Sequence, residues 1–144
     1  MPDTTTADEF DISTYAAQDT AEIELQRPDG EPMTNAHGQA LSVTVYGPGS
    51  RTYQHAQSVR NRAILAFVRR GSHKKMADDE QRLLDAEFLA ACTVSFNGFG
   101  YKGMPKGPEM YKAAYLDPKM GLVSEQVNKG IGDWANFLPK LAKN

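Results

Sequence analysis

The side chains able to do chemistry are few and scattered. The histidines are His37, His55 and His73, and the one cysteine is Cys92. Metal binding and acid–base catalysis need such groups to converge, on one helix face or across a fold. His37 lies in a turn-rich stretch, His55 in a helical stretch and His73 in the charged link GSHKK, so no two share a helical turn. All three read as surface residues. Cys92 sits among small residues in AACTV. A nucleophilic role needs a positioned base, and a buried small hydrophobe is the simpler reading. A lone cysteine excludes an intrachain disulfide and fits a reducing cytoplasm. The glycine-rich NGFGYKG at 97–103 lacks the Lys-Ser/Thr pair of a phosphate-binding loop and reads as a flexible loop. No catalytic residue, cofactor or metal is expected, and the chain reads as a binding protein rather than an enzyme.

Charge is the stronger signal. The net charge is only -2, but residues 1–26 hold seven carboxylates and no Lys or Arg, while 51–75 hold seven cations and no acid. Such asymmetry favours an anionic partner for the basic stretch, or an acidic neighbour within the fold. Nucleic-acid modules interleave aromatics for stacking or insert a recognition element. The aromatics of the basic stretch, Tyr53 and Phe67, fall on its apolar face rather than among the cations, so it reads as a solvated helix face balanced by the acidic helix that follows. Nucleic acid is the lesser alternative, and the acidic tail lying over this face is another. No apolar run approaches the ~18 residues needed to span a bilayer, and the N-terminal stretch lacks the basic start and apolar block of a secretory signal.

The elements that would position these residues follow from periodicity. Residues 1–20 are polar and acidic and are expected to be disordered, with Phe10, Ile12 and Tyr15 as apolar exceptions. Ala21, Ile23 and Leu25 alternate with polar residues, as do Leu41, Val43 and Val45. Period two predicts strands with one buried face, hence an antiparallel hairpin over about 21–46 with a loop at 28–39. Ser50 is placed to cap a helix over 51–70 that stops at Gly71. Its apolar face is Tyr53, Ala56, Val59, Ala63, Ile64, Phe67 and Val68; Arg51, Arg62 and Arg69 lie opposite, and Arg60 falls on the apolar face. A basic side chain there must snorkel, pair with a carboxylate or sit at an interface.

A second helix is expected over 77–96, with Asp78, Asp79 and Glu80 at its positive end and Leu83, Leu84, Phe88, Ala91 and Val94 buried. Pro108 opens a short helix to Leu116, and Asp117-Pro118 reads as a cap and first-turn proline. A last helix over 119–138 carries the stripe Met120, Val123, Val127, Ile131, Trp134 and Leu138. Gly121, Gly130 and Gly132 weaken it, each by roughly 1 kcal/mol against Ala. Beyond them Trp134, Phe137 and Leu138 are candidate exposed anchors, since aromatic residues are enriched at binding hot spots. Together with Arg60, Arg62 and Arg69 they are the candidate protein-binding residues. The fold class is α+β: a hairpin packed on a mainly helical bundle, one domain over 21–144.

Three segments resemble a known family. They are AEIELQRPDGEPM, LSVTVYGPGSRTYQHAQ and YLDPKMGLVSEQVNKGIGDWANFL, together reaching from about 21 to 138. They are similar to small tail assembly chaperones of tailed phages and prophages with long non-contractile tails. The features are a strand pair, a Gly-Pro-x-Ser-like turn (Gly47-Pro48-Gly49-Ser50), a Glu-Gln-Val core (Glu125-Gln126-Val127) and an Asp-x-Ala-Asn-Phe end (Asp133 to Phe137). The chain departs from that pattern at Trp134, where a basic residue is expected, and in the 97–107 loop. The resemblance implies a binding protein of the host cell cytoplasm. It would coat the helical tape-measure protein until tail tube protein polymerises around it, through weak multiple contacts and self-association. The other readings are a structural part of the virion and a nucleic-acid-binding regulator using 51–75.

Overall fold

The structure, a computed structural model, describes residues 9–70 and 77–139. Gly71 and His73 therefore lie outside the described residues, as do 1–8, the first part of the tail over which disorder was expected. The fold is α+β. A three-stranded antiparallel sheet, in the order β1 (Thr20–Glu24), β2 (Ser42–Tyr46) and β3 (Thr93–Asn97), packs on helices α1 (Arg51–Arg69), α2 (Asp78–Ala91), α3 (Pro108–Leu116) and α4 (Gly121–Gly132). None of the helices among the described residues is long and apolar enough to cross a membrane.

The expected hairpin forms, with Ile23 opposite Val43 and Ala21 opposite Val45. Its loop is folded back on itself. Leu25 N–H donates to Leu41 O, Met33 N–H to Leu25 O and Leu41 N–H to Met33 O, so Met33 is wedged between the two strand ends. One sheet face delivers Val43, Val45 and Phe96 to the core. The other carries polar pairs: Asn97 Nδ2 donates to Ser42 Oγ (3.1 Å) and Thr44 Oγ1 (2.9 Å), and Ser42 Oγ donates to Glu22.

The helix expected over 77–96 ends at Ala91, and the chain turns into β3. The β-branched Thr93 and Val94 favour a strand, and β2 offers an open edge. A bulge sets Val45 opposite Thr93 and Thr44 opposite Ser95. Val94 is the extra residue and faces solvent rather than the core. The buried stripe of α2 is also rotated from the one expected: Ala86, Phe88, Leu89 and Cys92 are inside, while Leu83 and Ala91 are exposed. The cause is α3, which is the helix that α2 contacts most and which brings Met110, Tyr111, Ala114 and Tyr115 into the core. Thr93 Oγ1 and the Tyr115 hydroxyl hydrogen-bond at 2.7 Å inside it.

Local signals at the helix ends hold. Ser50 Oγ accepts from Tyr53 N–H (3.1 Å), and Asp117 Oδ1 from Lys119 N–H (2.9 Å). The glycine-rich stretch is pinned rather than loose. Phe99 stacks on Phe96 with centroids 4.6 Å apart, and the Tyr101 hydroxyl donates to Asp117 Oδ2 at 2.7 Å.

Residues 9–19 also differ from the disorder expected there. Ile12–Tyr15 form a 3₁₀ turn capped by Asp11, Gln18 N–H donates to Phe137 O, and Ala17 packs on the core. The segment approaches the start of α1, where Ala17 adjoins Gly49.

Candidate protein-binding surface

The six candidate residues separate into two groups. Trp134, Phe137 and Leu138 were placed on one continuous helix, but α4 ends at Gly132. Asp133 then caps a 3₁₀ turn over Trp134–Phe137 by accepting from Ala135 N–H, and Asn136 Nδ2 donates back to Gly130 O. The tighter turn changes the phase of the side chains. Phe137, expected as an exposed anchor, is fully buried and belongs to the core, while Trp134 and Leu138 remain 53% and 40% exposed. A Cβ at Gly49 would lie 3.6 Å from the Trp134 ring and 3.8 Å from Ala17 Cβ, so these three residues adjoin at one end of the molecule.

Arg60, Arg62 and Arg69 all lie on α1, whose contacts are chiefly with α2. The face turned inward is Tyr53, Ala56, Arg60, Ala63 and Phe67. Arg60 pairs with Asp85 and sits 5.4 Å from the Phe88 ring centroid, which accounts for a cation on an apolar face. Arg70 pairs with Glu80 at 3.7 Å. Both pairs are partly exposed, and pairs of that kind contribute at most ~1 kcal/mol. Their effect is to place α2 carboxylates against the basic helix. Arg62 and Arg69 are exposed, and among the described residues neither pairs with a carboxylate.

Periodicity alone left out the apolar surface beside them. Ile64, Leu65 and Val68 are 37%, 45% and 58% exposed. Ile64 and Val68 were expected to be buried, but they lie to one side of the strip that α2 covers. Spacings of three and four make the trio contiguous, and Arg62 and Arg69 stand one turn either side of Leu65. Single exposed aliphatic residues are ordinary; three together, flanked by cations, form a patch. On the other flank Val59 is half exposed and lines, with Leu84, Phe88 and Ala91, an apolar groove of about 230 Å³ between α1 and α2.

Among the described residues the remaining chemistry-bearing side chains do not converge. His37 and His55 are exposed on separate elements. Among the described residues no group of three or more His, Cys, Asp or Glu is arranged to hold a metal. Cys92 is fully buried, and burial pushes its thiol up to about 12, the opposite of an activated nucleophile.

The motif residues that carry the family resemblance have structural partners. Gln126 reads the backbone of Gln26 like a neighbouring strand, accepting from its N–H and donating to its carbonyl, both at 2.8 Å. Val127 is fully buried, and Asp133, Asn136 and Phe137 build the closing turn. No family model matches the chain, and neither the curated proteins nor the solved structures include one similar to it.

Proposed function

We propose that this protein is a tail assembly chaperone of a phage with a long non-contractile tail. In this reading it binds the tape-measure protein in the host cytoplasm and keeps it soluble until tail tube protein polymerises around it. The observation that supports the reading is the half-exposed trio Ile64, Leu65 and Val68, held between Arg62 and Arg69 on a helix that packs chiefly on one neighbour. A row at helical spacing matches the apolar stripe of a second long helix. Three half-exposed aliphatic side chains offer a few kcal/mol on burial, at about 1.5–3 kcal/mol for each full burial. Binding on that scale is reversible, as displacement by a polymerising tube requires. Arg60 of α1 and Arg70 just past its end already pair with α2 carboxylates, which favours a protein partner over nucleic acid.

The test is a tagged pull-down from phage-infected or prophage-induced cells beside purified particles. Capture of a long helical tape-measure protein, absence from finished particles, and loss of capture in a folded Leu65→Glu/Val68→Glu variant are the expected results. Fixed-stoichiometry presence in particles would instead make the protein a virion component.

A further inference from the structure

We propose that the chain associates with itself head to tail, the acidic turn around Ile12 of one copy docking on the arginine-flanked patch of α1 in the next. Phe10, Ile12 and Tyr15 are 64%, 73% and 48% exposed. They are also held in place. Asp11 Oδ1 accepts from Ser13 N–H at 2.9 Å, Ala16 N–H donates to Ser13 O, and the Phe10 and Tyr15 rings lie 5.9 Å apart. In a 3₁₀ turn residues three apart eclipse, so Ile12 and Tyr15 project together. Ordered apolar side chains lose little further entropy on docking, which makes this a preformed knob rather than a loose tail.

The two patches are complementary. Carboxylates of Glu9 and Asp11 alternate with the knob's apolar residues, and the Ser13 N–H bond keeps the Asp11 carboxyl below the usual carboxylate range, so it is charged at neutral pH. The α1 patch carries Arg62 and Arg69 around Ile64, Leu65 and Val68. An apolar trio edged by acids thus faces an apolar trio edged by cations.

The knob that docks there comes from a second copy, not from the same chain. Within one chain Ala17 adjoins Gly49 at the start of α1. Leu65 lies some four turns further on, roughly 22 Å at 1.5 Å per residue, and the knob is exposed where it stands. Because the surfaces differ, the contact is heterologous and leaves one of each free at the ends, so copies add in a row or close as a ring. So few side chains make an interface below about 1,200 Å², in the weak and transient class, and one sensitive to salt. The inference shares the α1 patch with the proposed function but needs no phage partner.

Sedimentation equilibrium of the purified chain tests it. From roughly 10 μM to 1 mM the average mass should rise with concentration, and less so in high salt. Phe10→Ser/Ile12→Ser and Leu65→Glu/Val68→Glu should each stay monomeric with unchanged circular dichroism. Mixed one to one, they should form a dimer that grows no further, since each retains the surface the other lacks. A wild-type chain monomeric throughout overturns the proposal, as does a mixture of folded variants that stays monomeric. If the α1 variant fails to fold, Arg62→Glu/Arg69→Glu replaces it: at least tenfold weaker association supports the contact, and unchanged association overturns it.

Discussion

The ring of Phe137 lies directly on the backbone of Gly47. A Cβ at position 47 would run into ring Cδ1 and would lie 2.6 Å from Cε1 and 2.7 Å from Cγ. The glycine cannot withdraw easily, because its N–H donates to Asp19 O and its carbonyl accepts from both the N–H and the hydroxyl of Ser50. One contact thereby joins the C-terminal turn, the end of β2, the N-terminal segment and the cap of α1. Gly47→Ala should cost about 1–3 kcal/mol through overpacking, and Phe137→Ala about 3–5 kcal/mol through the cavity it leaves. Trp134→Ala, at a half-exposed position, should stay within about 1 kcal/mol. Urea midpoints read all three. A Phe137→Ala midpoint equal to wild type would remove Phe137 from the core.

Gly130 reverses the usual expectation for a helical glycine. Propensity predicts that Ala at this position stabilises by about 1 kcal/mol. Here a new Cβ would lie 2.7 Å from Ile23 Cδ1 and 3.0 Å from Ile23 Cγ2, the latter fixed to the strand by β-branching. Gly130→Ala should therefore destabilise, by about 1–3 kcal/mol. The penalty should shrink in an Ile23→Ala background, as a double-mutant cycle in thermal or chemical unfolding would show.

Cys92 should be inert while the protein is folded. Its thiol is fully buried and pushed up to about 12, so thiolate is scarce at neutral pH. Alkylation by a maleimide should proceed at the rate of opening, and mild denaturant should accelerate it steeply. Labelling as fast as that of a free thiol in native buffer would place Cys92 at the surface.

Asp117 should tie stability to acid pH. The Tyr101 hydroxyl and then the Lys119 N–H hold its carboxyl below the ordinary 3.8. A depressed folded value means the contribution is present above the unfolded value and is lost as pH falls from about 3.8 through the folded value. Asp117→Asn should flatten the wild-type stability profile across that acid window and lower the urea midpoint at neutral pH. Identical slopes in the two proteins would show that the Tyr101–Asp117 bond contributes nothing to the acid response.

Much of the fold was legible where signals are local. The alternation of Ala21, Ile23 and Leu25 against Leu41, Val43 and Val45 predicted the hairpin. Ser50, Pro108 and the Asp117-Pro118 pair marked helix starts that the structure keeps. The segment Thr93–Asn97 was misread because Phe88, Ala91 and Val94 step by three and continue a helical pattern. What overrode that pattern is the free edge of β2, a partner about fifty residues away in the chain.

The candidate surface was legible in part. Arg62 and Arg69 were placed on the outer face of α1 from spacing, and they stay there. That Ile64 and Val68 join them depends on where α2 crosses the helix. Whether Phe137 or Trp134 turns inward depends on α4 ending at Gly132. The sequence by itself determined the caps, the hairpin, the charge asymmetry and the apolar periods, because each rests on residues within a turn or two of one another. The tertiary structure alone decided the third strand, the flank of α1 left open and the glycines that ring and side chain press upon, because those follow from close packing between segments far apart in the chain.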